Sequence, residues 1–278
     1  MNNHYQSVCI SCSKKTTREY STSFSLGIRF LAPRFRNPVY AVYGFVRFAD
    51  EIVDTFHNYN KEELLKRFWD DAHHAIENKI SLNPILHSFQ QVYHQFDFDM
   101  DLVDTFLRSM EMDLQKKDYT REGYEEYILG SAEVVGLMCL KVFTDGNRDL
   151  YNELKPYAMR LGSAFQKINF LRDMHADYIQ LGRAYFPGLA MEKFDIAQKK
   201  RIEDEIEADF KVGYEGILKL PKDSRLGVYV AYVYYFRLFK KIKSLPPERI
   251  LEERVRIPDR RKFALFLQSY LRHSLNLM

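Results

Sequence analysis

Glycine and proline are scarce, at 12 and 9 of 278 residues, and apolar residues recur every three to four positions instead of alternating, which argues against strands. Cysteine is scarcer still. Cys9, Cys12 and Cys139 are an odd set too small to staple a fold, so a reducing compartment is expected. Cys9 and Cys12 have a C-x-x-C spacing, but no second pair or nearby histidine completes a zinc site, and a poorly ordered N-terminal tail is expected there. There is no excess of one charge. A net +3 disfavours a nucleic-acid binder with a broad basic surface. No run approaches the ~20 apolar residues of a membrane span, and MNNHYQSVCI lacks the basic-then-apolar layout of a signal peptide. The expectation is a cytoplasmic protein.

What the chain has in quantity is helical periodicity. In PVYAVYGFVRFADEIVDTF, Val39, Val42, Tyr43, Val46, Ile52 and Val53 form a broad apolar face, which predicts a long helix with Pro38 in its first turn. Further helices are predicted over 61–79, 83–97, 101–116, 121–144, 150–181, 201–219, 224–244 and 259–276, with breaks at polar or Pro/Gly clusters such as 57–60 and 145–147. No Ser/Gly linker or low-complexity block divides 1–278, so a single all-α domain is expected.

Two stretches stand out, FADEIVDTF from Phe48 and NFLRDMHAD from Asn169. Residues four apart share a helix face, so Asp50 and Asp54 project together, as do Asn169, Asp173 and Asp177. Like charges at that spacing destabilise a helix, and an apolar setting adds a desolvation cost. A cationic partner should compensate. Arg47 and Arg172 are candidates, but oxygen-only sets of Asp and Asn are also what hard divalent ions prefer, and magnesium retains water and shares its shell with phosphates. A solvated helix face with intrahelical pairs to arginine is the alternative.

Together these stretches resemble the signature pair of the squalene/phytoene synthase family, whose members join two prenyl diphosphates head to head. The D-x-x-x-D motif is present as Asp50 and Asp54, with Glu51 where relatives often carry a second Asp. QKINFLRDMHADYIQLGRAYFP is similar to the second motif through Gln166, Asn169, Arg172, Asp173 and Asp177, and its GRAYFP tail supplies Tyr185. The segment from Tyr20 to Arg47 resembles the family's opening helix and its Y-x-x-x-R approach, giving Ser21, Ser23, Phe24, Tyr43 and Arg47, with Tyr20 where some relatives have histidine. GSAEVVGLMCL resembles the V-A-G-x-V-G helix, with Glu133 in place of glycine, and ERVRIPDRRK resembles the closing segment, giving Arg254, with Tyr235 matching an upstream tyrosine.

The resemblance implies an isoprenoid-synthase helical bundle with the acidic helices facing across a central cavity. It implies three magnesium ions held by Asp50, Asp54, Asn169, Asp173 and Asp177 with the substrate diphosphates, Asp177 either ligating directly or orienting a ligand. Arg47 and Arg172 would hold diphosphate oxygens, with Gln166, Ser21 and Tyr20 as weaker partners. Phe24, Tyr43 and Tyr235 would face the carbocation or simply pack. The family reaction passes through a cyclopropylcarbinyl diphosphate; proton loss then gives a conjugated triene, whereas nicotinamide hydride gives squalene. Gly27 and Ile28 lie on the helix that resembles the one lining the family's tail tunnel, at positions where a relative using a C15 substrate can carry larger groups. They favour two geranylgeranyl diphosphates, phytoene as product, no nicotinamide, and a place in carotenoid biosynthesis beside downstream carotenoid enzymes.

Gly130, Ser131, Ala132 and Gly136 place little bulk on one helix, which is expected to border the prenyl tunnel, so that Gly136→Leu should shorten the accepted chain. Rival readings are a squalene or dehydrosqualene synthase using farnesyl diphosphate, a non-catalytic family scaffold, or a di-iron bundle, for which only Asp70-Asp71-Ala72-His73-His74 comes near. The apolar C-terminal FALFLQSYLRHSLNLM either packs on the core or rests peripherally on the inner membrane face.

Overall fold

A computed structural model describes residues 3–115, 119–189 and 194–257. Among them there is no β-strand, and the helices run α1 (Asn3–Tyr20), α2 (Thr22–Arg29), α3 (Pro33–Thr55), α4 (Lys61–Asn78), α5 (Pro84–Gln95), α6 (Met100–Gln115), α7 (Arg121–Ile128), a π turn (Leu129–Glu133), α8 (Val134–Thr144), α9 (Arg148–Leu181), α10 (Ile196–Lys219), α11 (Lys222–Lys243) and α12 (Pro247–Glu252). The all-α expectation holds. The segment expected over 259–276, with its apolar terminal stretch, lies outside the described residues.

Side chains set most boundaries. Asn60, Asn83 and Thr120 accept hydrogen bonds from first-turn amides of α4, α5 and α7, and Asp195 and Gln198 form a reciprocal capping box that starts α10 at Ile196, earlier than expected from periodicity. Pro33, not Pro38, occupies the first turn of α3, so Pro38 lies inside the helix. The stretch over 121–144 is interrupted by the π turn, a geometry that hydrophobic periodicity does not encode.

The N-terminal segment is not a loose tail. It forms α1, which packs on α3 and α5. Cys9, Ser13 and Thr17, four residues apart, are each 0% exposed, and Ser13 Oγ meets Ser88 Oγ at 2.6 Å. All three cysteines are free, and Cys9 is buried by packing.

Two apolar clusters make the core. One joins residues of α2 to α6 and α8, and the other joins α7, α9, α10, α11 and α12. The helical stretch Arg121–Thr144, contrary to the sequence expectation, is long and apolar enough by composition to cross a membrane, with a mean hydropathy of 1.5. Its apolar window is 56% buried inside the protein, where the π turn and α8 pack against α6 and α9, so it reads as a core helix.

Candidate active site

A cavity of about 600 Å3 opens between the two clusters, inside the range of ~300–1000 Å3 common for small-molecule sites. From α3 it receives Val39, Val42, Tyr43, Val46, Arg47, Asp50 and Asp54; from α9 it receives Leu154, Ala158, Leu161, Phe165, Gln166, Asn169, Arg172, Asp173 and Asp177. Each set follows the three-to-four spacing of a single helix face, and each changes from apolar to acidic toward the helix C-terminus. That is the unfavourable end for carboxylates, because the helix dipole places partial negative charge there. Asp54 lies one residue from the end of α3.

Arginines partly offset this charge. Arg47 donates to Asp50 at 2.7 Å and to Glu51, while the Tyr20 ring lies 4.4 Å from its guanidinium carbon. Arg172 donates to Asp173 at 3.0 and 2.5 Å, and Arg254 Nε lies 2.6 Å from the same carboxylate. Arg183 reaches Asp54 at 3.2 Å. The compensation is incomplete. Burial first, and then repulsion from Asp54, push the Asp50 carboxyl up to about 7 against the pull of Arg47. Burial, followed by repulsion from Asp173 on its own helix and Asp54 across the cavity, pushes Asp177 up to about 7 as well. The two acidic helices therefore share one electrostatic field.

This donor set fits a divalent cation carrying phosphate. All candidate ligands are oxygens, and charge repulsion persists after every arginine has been counted. Arg47 Nε is buried without a partner among the described groups, a donor left for an anion. No group of three His, Cys, Asp or Glu among the described residues converges on one point; a divalent ion here would need water and phosphate to complete its shell. Asp50, Asp54, Asp173 and Asp177, with Asn169 beside them, are the oxygen donors that could hold such an ion.

Of the other site residues expected from sequence, Tyr20, Ser21, Phe24, Tyr43, Gln166, Tyr185, Tyr235 and Arg254 all line the cavity, whereas Ser23 does not. Ser21 Oγ caps α2 by accepting from Phe24 N at 3.2 Å, and burial pushes the Tyr43 phenol up to about 12. Tyr235 donates to Asn169 at 3.4 Å and stacks on Phe165 with centroids 4.1 Å apart. Tyr185 is turned toward a buried group that the sequence reading did not single out. Asp113 of α6, pushed up to about 6 by burial, accepts from Tyr185 at 3.2 Å, Tyr119 at 3.1 Å and Tyr127 at 2.6 Å. Asp113 continues the buried stripe of Val103, Phe106 and Met110, a carboxylate at an apolar position that was a usable signal.

The small-residue helix does border the cavity through Ser131, Ala132 and Gly136. Its glycines chiefly admit neighbouring helices. A Cβ at Gly130 would stand 2.5 Å from Ser109 Cβ, and one at Gly136 would stand 3.3 Å from the Ala158 carbonyl oxygen. A leucine at Gly136 would thus press on α9 as well as stand at the cavity wall, so a packing cost accompanies the expected chain shortening. The Asp70–His74 stretch is a surface feature: His73 and Trp69 meet Asp104 of α6 at 2.7 and 2.9 Å.

Comparison with known proteins agrees with this architecture. Residues 17–261 match the family model described as squalene/phytoene synthase. The chain is 28% identical over 201 residues to a 4,4'-diapophytoene synthase of Staphylococcus haemolyticus, covering 69% of this chain and 65% of that protein. It is 24% identical to a phytoene synthase of Arthrospira platensis, covering 93% and 91% of the two chains. Its matches span 65%, 59% and 64% of three of the curated relatives, just under two thirds of each. A crystal structure of a dehydrosqualene synthase with ligand superposes with a TM-score of 0.81 over 98% of this chain and 99% of that one, at 23% identity, which establishes the shared all-helical fold. The chain belongs to the squalene/phytoene synthase family.

Proposed function

We propose that this chain, acting as one catalytic unit, is a prenyltransferase that condenses two geranylgeranyl diphosphates head to head to phytoene. The observation that carries this reading is the gradient along α3 and α9, from an apolar cavity floor to paired carboxylates and arginines at its acidic end. A prenyl tail belongs in the first part and a diphosphate in the second.

In this reading Asp50, Asp54, Asn169, Asp173 and Asp177 hold magnesium, which when bound neutralises the leaving diphosphate. Arg47 and Arg172 take diphosphate oxygens through charge-assisted hydrogen bonds, using donors such as the unpartnered Arg47 Nε. Ser21, Gln166, Tyr20 and Arg254 supply further polar contacts. Phe24, Tyr43 and the Phe165–Tyr235 stack turn ring faces and apolar surface toward the tail, excluding water from an allylic cation. Gly27 and Ile28 line the cavity, and the glycine adds no side chain there, which supports a C20 chain.

The likeness to a 4,4'-diapophytoene synthase supports a second reading, with farnesyl diphosphate as substrate. Product analysis separates them. Purified protein with magnesium is given geranylgeranyl or farnesyl diphosphate, each with and without reduced nicotinamide. A C40 triene formed without reductant is the expected result. A C30 product from the C15 substrate alone would replace phytoene with the second reading, and no product from either would sink both.

A further inference from the structure

Arg183 stands between carboxylates from two different helices. Its Nη1 lies 3.2 Å from Asp54 Oδ1 on α3 and 3.7 Å from Asp113 Oδ2 on α6, while Nη2 donates to the backbone carbonyl of Asp113 at 3.0 Å. The arrangement is buried, with the Arg183 and Asp113 side chains 7% and 5% exposed. Hydrogen bonds from Tyr119, Tyr127 and Tyr185 hold the Asp113 carboxylate, and all three donors are neutral. Arg183 is therefore its one cationic partner among the described ion pairs.

A guanidinium beside Asp54 competes with a divalent cation for the same oxygens. How strongly it competes depends on what else satisfies its charge. We propose that Asp113 is a positioning residue that anchors Arg183 and matches its charge, keeping Asp54 available to a divalent cation at the acidic mouth. This rests on the functional reading above and deepens it. Asp113 lies in neither acidic motif. Without its charge, Asp54 is the one carboxylate left in an ion pair with the buried Arg183 among the described residues, with Asp177 acting on it at longer range, and Arg183 should close on Asp54.

The test uses the full chain and reads binding instead of turnover. At pH 8, where Asp113 is ionised, the thermal midpoint is followed as magnesium is titrated at fixed inorganic diphosphate, for wild type, Asp113→Asn and the double variant Asp113→Asn/Arg183→Gln. Asparagine preserves shape, and its amide oxygen can still accept from the phenols on one side, while the amide nitrogen, a donor, replaces the other carboxylate oxygen. The magnesium concentration for half-maximal stabilisation should rise roughly tenfold in Asp113→Asn, the usual scale for losing a residue that orients a metal ligand. It should return toward the wild-type value in the double variant, where the competing cation is gone. A purely structural role would lower the midpoint temperature without moving that concentration or permitting the rescue.

A folded Asp113→Asn protein with unchanged magnesium dependence would overturn the proposal alone. A wild type indifferent to magnesium and diphosphate would overturn the functional reading with it. A second measurement needs no variant: in a crystal structure of wild type with magnesium and inorganic diphosphate, Arg183 should remain on Asp113 and leave Asp54. Arg183 still paired to Asp54 beside the bound cation would refute the idea.

Discussion

Replacing Asp177 by asparagine should make the metal-free protein more stable at pH 8 and much less so at pH 5. Burial and the neighbouring Asp173 and Asp54 push the Asp177 carboxyl up to about 7. Between its ordinary value near ~4 and about 7, the folded chain holds a proton that the unfolded chain releases, so stability falls as pH rises through that window. A rise of ~3 units at ~1.4 kcal/mol each bounds the cost of ionisation at ~4 kcal/mol. Water entering the open cavity and side-chain relaxation reduce this to ~2 kcal/mol. Asparagine removes that cost at pH 8, whereas at pH 5, only ~1 unit above the ordinary value, about a third of it has developed. For a chain of this length the unfolding entropy is ~0.6 kcal/mol/K, so ~2 kcal/mol corresponds to about 3–4 °C. Thermal unfolding followed by circular dichroism in chelator, at both pH values, reads the difference. No gain at pH 8 would refute the reasoning, and an equal gain at both pH values would assign the effect to packing instead of charge.

Two further outcomes follow from the packing. Asp209 is 4% exposed and accepts from Lys167 at 2.8 Å, Ser163 at 2.9 Å and Arg160 at 3.2 Å, tying α9 to α10. Asp209→Ala leaves the buried Lys167 ammonium only the longer pair with Glu205 at 3.6 Å and should cost up to ~3–5 kcal/mol in urea unfolding; a loss below ~1 kcal/mol would show the pair to be solvated. Gly130→Ala drives a Cβ to 2.5 Å from Ser109 Cβ and should cost ~1–3 kcal/mol, whereas at Gly27 the nearest atom is 3.6 Å away, and alanine there should be tolerated within ~0.5 kcal/mol. Equal costs at the two glycines would contradict the helix contacts described.

The acidic motifs were legible because their chemistry repeats at the helical period. Asp50 with Asp54, and Asn169 with Asp173 and Asp177, needed only spacing to be placed on one face, and the cavity stripes of α3 and α9 follow that spacing. α1 was not legible, because its buried stripe is Cys9, Ser13 and Thr17, small residues that a search for large apolar side chains passes over. Close approach explains their size: a Cβ at Gly44 of α3 would stand 3.0 Å from Ser13 Oγ. The Asp113–Arg183–Asp54 bridge escaped for another reason. Its partners lie 70 and 129 residues apart, and the pairing exists only once α3, α6 and the segment after α9 have folded together.

The most direct test of a single cation–diphosphate centre shared by both acidic helices is the single-turnover release of inorganic diphosphate from a prenyl diphosphate, measured with Asp50→Asn and Asp173→Asn. Each substitution, on its own helix, should slow release by ~10²–10³-fold at saturating magnesium. If either variant kept release within a few-fold of wild type, its helix would not belong to the centre, and the account of facing acidic helices would be wrong.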